Sequence, residues 1–256
     1  MKLTLDSYIE NPIAATNGGR VMSAYMRNAQ LNAYTDSFNK LLLRENGMIV
    51  YKQYQDERNK VYYIHLKMPS ESTKGLVYDV LLRFYSDSKT KDIRNLSTYY
   101  FEVYSNDPAF IFTYAYVFSR NGLVPNDFLS KIGKLARTKA PDISNPNQQI
   151  GYVKSIVYSY LFMKNRGLLN LIQWTDVPKY IKSDLFKVID STDDKLKELK
   201  DEKERLRELK NYQQEKKKQI DNFHKENSPN GRAKKINIIK PIQKIAKIKP
   251  ISKIKK

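Results

Sequence analysis

The chain has 256 residues, with 46 Lys and Arg against 27 Asp and Glu and a formal charge of +19, a size that fits one good-sized domain plus extensions. It has no cysteine, which excludes disulfides and thiolate chemistry and suits an intracellular product or a particle assembled inside a cell. The opening from Met1 to Asp6 lacks the apolar run of a signal peptide, and the longest apolar run, Ala109 to Phe118, is too short to cross a bilayer.

Taken in order, residues 1 to 17 carry an Asn11-Pro12 break and read as an irregular leader. From Arg20 to Glu45 there is no Gly or Pro, and Asn46-Gly47 closes the stretch, which predicts a helix or two helices meeting near Thr35-Asp36. Four strand-like runs follow, Met48 to Tyr54, Val61 to Met68, Leu76 to Tyr85 and Thr98 to Tyr104, and predict an antiparallel meander. In the last run Tyr99, Phe101 and Val103 alternate with Tyr100, Glu102 and Tyr104, so one face is expected to be buried and the other partly wet.

The run 110–118 has strand-like composition, yet Asp107-Pro108 is a cap with proline at the first helical position and Asn121-Gly122 is a stop, so a buried helix is expected. Further helices are predicted over Asn126 to Ala136, Gln148 to Arg166 before Gly167, and Leu168 to Ile189 with an interruption near Pro178. Residues 138 to 147 read as a long loop. The nineteen tyrosines fit half-buried contact surfaces or simply a tyrosine-rich core.

These elements make residues 1–189 an α+β body, a small antiparallel sheet packed with helices. Residues 190–226 hold eleven acids and eleven bases and form a charged helical spacer. Leu199, Leu206, Leu209, Ile220 and Phe223 leave a weak coiled coil open, interrupted by Glu202, Gln213 and Lys216. Asn227 to Gly231 breaks the helix and releases residues 227–256 as a basic extended arm.

The arm contains ten cations, Arg232, Lys234, Lys235, Lys240, Lys244, Lys247, Lys249, Lys253, Lys255 and Lys256, and no acid. Ten of the nineteen net charges thus sit there and none in the spacer, which leaves +9 on the body. Ile236, Ile239, Ile242, Ile245, Ile248, Ile251 and Ile254 recur at every third position. That period fits polyproline II and neither helix nor strand, and Pro241 and Pro250 oppose both. Three readings stand: a solvated tail, an arm on DNA or RNA with its isoleucines on a neighbouring protein, and a basic segment on anionic lipid.

Chemistry is harder to find. His65 in a strand and His224 in the spacer are the two histidines, and both read as structural or solvated. No metal-ligand cluster, catalytic triad, P-loop or dinucleotide fingerprint occurs, so no cofactor or metal is expected. A nuclease reading rests on Asp79 and Glu102 lying on neighbouring strands, with pairing to Arg83 as its alternative. No aromatic motif of an RNA-recognition sheet appears either, which leaves sequence-nonspecific backbone binding through Lys and Arg.

The runs 62–70 (YYIHLKMPS), 77–85 (VYDVLLRFY) and 105–118 (SNDPAFIFTYAYVF) resemble structural proteins of tailed bacteriophages infecting low-GC Gram-positive hosts, over about residues 20 to 170. The resemblance implies a non-enzymatic virion component of capsid, neck or tail, assembled in the host cytoplasm as an oligomer with other virion subunits. It carries over no functional residue. The alternative expectation is a soluble, nonspecific nucleic-acid-binding accessory protein.

Overall fold

A computed structural model describes residues 2–10, 24–45, 47–56, 58–73, 75–87, 93–141, 145, 148, 150–175 and 177–226. The chain divides into two units, with the boundary between Lys200 and Asp201.

The first unit is α+β, as its alternating and apolar runs predict. Strands β1 (Val50–Asp56), β2 (Val61–Pro69), β3 (Val77–Tyr85) and β4 (Tyr100–Ser105) form an antiparallel sheet in the order β1-β2-β3-β4. The β1–β2 loop closes from Asp56 to Val61, and the Asp56 carboxylate accepts Asn59 N and Asn59 Nδ2 at 3.3 and 2.7 Å. Both outer edges carry non-strand partners. On β4, Phe101 N donates to Leu3 O at 2.9 Å and Val103 N to Leu123 O at 2.8 Å. On β1, Gln55 N donates to Pro178 O and Tyr180 N to Gln55 O, at 3.0 and 2.9 Å.

Residues 2–10 of the expected irregular leader are ordered, and residues 11–17 lie outside the described residues. Residues Leu5–Glu10 form helix α1, capped by Thr4 Oγ1 on Ser7 N at 3.1 Å, and its spacing turns Leu5, Tyr8 and Ile9 inward. Tyr8 then sits edge-on to Phe101, Phe118 and Tyr152 with centroids at 5.5, 6.4 and 5.9 Å. Its hydroxyl accepts Val153 N at 2.7 Å and donates to Gly151 O at 2.9 Å. That fastening holds 150–153 extended, so helix α5 (Lys154–Asn165) starts six residues later than the sequence predicts.

Helix α2 (Ala24–Arg44) ends as expected, where Gly47, at φ +71°, donates to Leu42 O at 2.7 Å. The helical reading of 110–118 also holds. Asp107 Oδ1 accepts Phe110 N at 2.9 Å, the first turns are π-helical (Phe110–Tyr114), and helix α3 (Ala115–Arg120) runs to Gly122. The expected helix at 126–136 is instead a 3-10 segment (Asn126–Lys131) and a short helix α4 (Lys134–Thr138). Gly133 is the cause of the break: its N–H donates to Thr192 Oγ1 at 2.7 Å, and a Cβ there would stand 2.1 Å from Asp193 Oδ1.

Beyond α5, residues 168–189 hold a 3-10 turn (Leu171–Trp174) and helix α6 (Lys182–Val188), with 178–180 lying along β1. Helix α7 then runs from Thr192 to Glu226, roughly 50 Å at 1.5 Å per residue, and its first nine residues belong to the first unit.

One face of the sheet is buried and the other is covered in part. Ile64, Leu66, Val80, Leu82, Phe84, Phe101 and Val103 form the face that meets α5 and Tyr8 of α1, and α2 packs on α5. The other face is partly wet, as expected, with Tyr100 and Glu102 half-buried, but Tyr104 is fully buried. Phe128 lies against it at 5.9 Å, Tyr180 stacks on Tyr63 at 3.9 Å, and Phe186 backs Phe128 at 5.7 Å. The later part of the body therefore roofs part of this face, a tertiary contact that alternation along one strand does not encode.

Because the Tyr8 hydroxyl is the partner of a buried Val153 N–H, Tyr8→Phe should destabilise the protein by about 1–3 kcal/mol, the cost of an unsatisfied buried donor. Urea unfolding measures this, and an unchanged midpoint would return residues 2–10 to the status of a loose leader.

Candidate functional site

The most concentrated polar chemistry in the first unit lies under the roof, around Asp79 of β3. Strand register places Lys67 opposite Asp79 and His65 opposite Leu81, so the alternation of β2 turns both side chains toward the same carboxylate. Asp79 Oδ1 meets His65 Nε2 at 2.7 Å and Lys67 Nζ at 2.6 Å. Asp79 Oδ2 accepts Asn106 Nδ2 at 3.1 Å and the backbone N–H of Asp190 at 3.0 Å. Asn106 Oδ1 in turn accepts Asp79 N at 2.7 Å. All four acceptor directions of the carboxylate are used.

Burial alone would push the Asp79 carboxyl up. The hydrogen bond and charge of His65 and the ammonium of Lys67 outweigh it and bring the group from 3.8 down to about 2. His65, which the sequence marks as a satisfied structural residue, is just that: buried and bonded to Asp79.

The same cluster fastens the start of α7. Tyr104 OH donates to Asp190 O at 2.6 Å, and burial first, then the nearby acids Asp79 and Asp190, push its phenol far up, so it stays a donor. Lys195, almost wholly buried, reaches Glu198 at 2.5 Å and Asp190 at 3.8 Å. Thr192 Oγ1 holds Gly133 as described. Asp79 is thus an anchor that ties two strands and the 106–107 corner to the root of the charged helix.

Glu102 occupies a different place. It is paired in register with Arg83 and accepts its Nη1 at 2.7 Å, while burial raises its pKa against the pull of that guanidinium. Four residues along β3 separate Asp79 from Arg83, roughly 13 Å at strand spacing. The two carboxylates that the nuclease reading needs together are therefore apart, and each is bound to its own cation.

A third cluster lines a cleft of about 330 Å³ beside α5. There Glu71 accepts both Lys154 Nζ and Tyr158 OH, and Ser155 Oγ donates to Asp107, which also accepts Ser105 Oγ at 2.9 Å. Every polar group named there already has a partner. Among the described residues no set of three or more His, Cys, Asp or Glu is placed to hold a metal ion. No described helix is long and apolar enough to cross a membrane.

The sequence-predicted binding residues, Arg232, Lys234, Lys235, Lys240, Lys244, Lys247, Lys249, Lys253, Lys255 and Lys256, lie outside the described residues. So do the phased isoleucines Ile236, Ile239, Ile242, Ile245, Ile248, Ile251 and Ile254. His224 lies in α7, whose side chains at Leu206, Leu209, Ile220 and Phe223, the coiled-coil positions, are also outside the description. Sequence reasoning missed Lys67, Asn106 and Lys195. Only Lys67 had a signal, two residues from His65 in a run that pairs with the strand of Asp79. No protein-family model, curated protein or solved structure matches this chain.

Removal of the Asp79 carboxylate leaves His65, Lys67 and Asp190 N without it, so Asp79→Ala should cost about 3–5 kcal/mol, the usual penalty for breaking a buried pair. The folded-state pKa lies below the unfolded one, so the stabilisation is present above about pH 4 and is lost as pH falls through about 2. Its size is about 2 kcal/mol. Urea midpoints from pH 6 to pH 2 should show that decline in the natural protein and a flatter profile in Asp79→Asn; parallel profiles would refute the assignment.

Proposed function

We propose that the protein is a non-enzymatic structural component of a phage-like virion, held to neighbouring subunits through its body and reaching packaged nucleic acid through the basic arm. One observation carries this reading: ten cations and no acid within residues 229–256, alongside seven isoleucines at a period of three. Such a segment gains little by burying itself and much by neutralising phosphates, whose condensed counterions it releases. Arg232 and the nine lysines are assigned to the polyanion, without base readout. The phased isoleucines are assigned to a protein groove.

The body supports the reading in a second way. Asp79, Glu102 and Glu71 are committed to ion pairs with His65 and Lys67, with Arg83 and with Lys154, so these acids oppose an anionic partner little. The likeness of runs 62–70, 77–85 and 105–118 to phage structural proteins supplies the setting. The second reading, a free nucleic-acid-binding accessory protein, draws on the same charge and differs in where the protein resides. Co-sedimentation with intact particles favours the virion; recovery as free protein from the same lysate favours the accessory role.

For the arm, deleting residues 229–256 should weaken duplex-DNA binding and flatten its salt dependence. Each phosphate neutralised contributes about −0.9 to the slope of log K against log salt, so engagement of half the cations gives a steep line. Fluorescence anisotropy across a salt series reads both quantities, and identical affinity and slope for the truncated protein would overturn the assignment. Serine at all seven phased isoleucines should leave DNA affinity nearly intact while loosening attachment to particles. Unchanged attachment would remove the protein groove from the proposal.

A further inference from the structure

The sheet leaves one stretch of backbone open among the described residues. Outward-facing peptide groups are already bonded on β4, at Phe101 and Val103, and on β1 at Gln55. In an antiparallel strand the groups alternate sides, so Tyr51 and Gln53 present their N–H and C=O on the same outer side as Gln55. Neither backbone has a partner on that side among the described residues. Gln53 Nε2 is also buried and without a partner among them.

The surroundings of this edge are apolar and basic. Leu43, Met48 and Val50 are 79, 71 and 66% exposed. Tyr51 packs edge-on to Phe162 at 5.3 Å, Arg166 lies over Phe162 at 5.8 Å, and Arg166 Nη2 donates to Gly47 O at 3.1 Å, which joins the end of α5 to the patch. Lys40, Lys52 and Lys164 add positive charge on the same elements. Within residues 40–53 the sole acid is Glu45, and it is already ion-paired to Arg44 at 2.8 Å. Natural proteins shield such an edge or use it, since open strand edges recruit other chains.

We propose that the Val50–Gln53 edge of β1 is a docking site for an extended segment of another protein, one that alternates apolar and acidic side chains and adds to the sheet as a fifth strand. Main-chain bonds to Tyr51 and Gln53 supply the pairing, the exposed Leu43, Met48 and Val50 take the apolar side chains, and the surrounding cations take the acids. A second copy fits poorly: antiparallel self-pairing of Tyr51 with Gln53 sets Lys52 against Lys52, and the chain carries +19. The site belongs to the body and stands whether or not the arm holds nucleic acid.

The test uses the full chain and a labelled eight-residue peptide of alternating Val and Glu, beside the same peptide with every second amide N-methylated and a Val–Lys counterpart. Binding to the arm is electrostatic and indifferent to N-methylation, whereas strand addition needs the amides. The expected result at physiological salt is saturable binding of the Val–Glu peptide, at least tenfold weaker after N-methylation and absent for Val–Lys. Gln53→Pro, which removes the outward N–H together with the glutamine side chain, should weaken binding by a similar factor, and Gln53→Ala, which keeps the N–H, should not, while thermal unfolding stays cooperative. Equal affinity for the methylated peptide overturns the proposal without relying on any variant. So does concentration-dependent dimerisation abolished by Gln53→Pro, which assigns the edge to a second copy. Binding to anionic vesicles that Leu43→Ser with Met48→Ser abolishes, in the absence of peptide binding, overturns it in favour of lipid.

Discussion

A carboxylate buried where the second face of the sheet is roofed is the constraint from which much of this body follows. β3 is buried at Val80, Leu81, Leu82 and Phe84, so Asp79 has no water to turn to. Taking an ionised group out of water costs several kcal/mol unless charge and hydrogen bonds replace the hydration. Lys67 supplies charge and His65 a hydrogen bond from the next strand, and Asn106 and the Asp190 N–H complete the shell. The last of these comes from far along the chain, so the carboxylate is satisfied only when residues 180–195 have closed over the second face. The polar anchor and the apolar roof of Phe128, Tyr180 and Phe186 are thus two parts of one closure.

Charge is handled in two contrasting ways. Inside the body acids and bases meet in specified pairs, Asp79 with His65 and Lys67, Glu102 with Arg83, Glu71 with Lys154. In residues 229–256 cations accumulate with no acid among them. Pairing offsets the desolvation of the charges in the first case; in the second the charge is unbalanced within the segment, and the proposed polyanion binding rests on that.

Features fixed by local chemistry were legible in the sequence. The Asn-Gly stop at Gly47, the Asp107-Pro108 cap and the glycines after α3 and α5 all mark real helix ends, because the positive φ or side-chain cap they provide is needed wherever the chain turns there. The four strand runs gave the meander for the same reason, since short polar loops leave antiparallel neighbours as the simplest pairing. What escaped was set at long range. α1 is too short to show a period, and its three inward residues are recognisable only beside Phe101 and Tyr152. The 126–136 helix fails at Gly133 because Thr192 and Asp193 crowd it, and nothing within that segment announces them. Of the Asp79 site, the strand partners were within reach once a register was assumed, whereas Asn106 and Asp190 were not.

The two clips at the margins of the sheet have a temporal meaning during synthesis. Leu3 and Leu123 close one side, and Pro178 with Tyr180 closes part of the other, although the four strands themselves are complete by Ser105. A ribosome must therefore deliver some seventy further residues before the second clip exists. Over that interval the nascent sheet carries a longer uncovered margin than the finished protein, the condition under which partly made chains find one another.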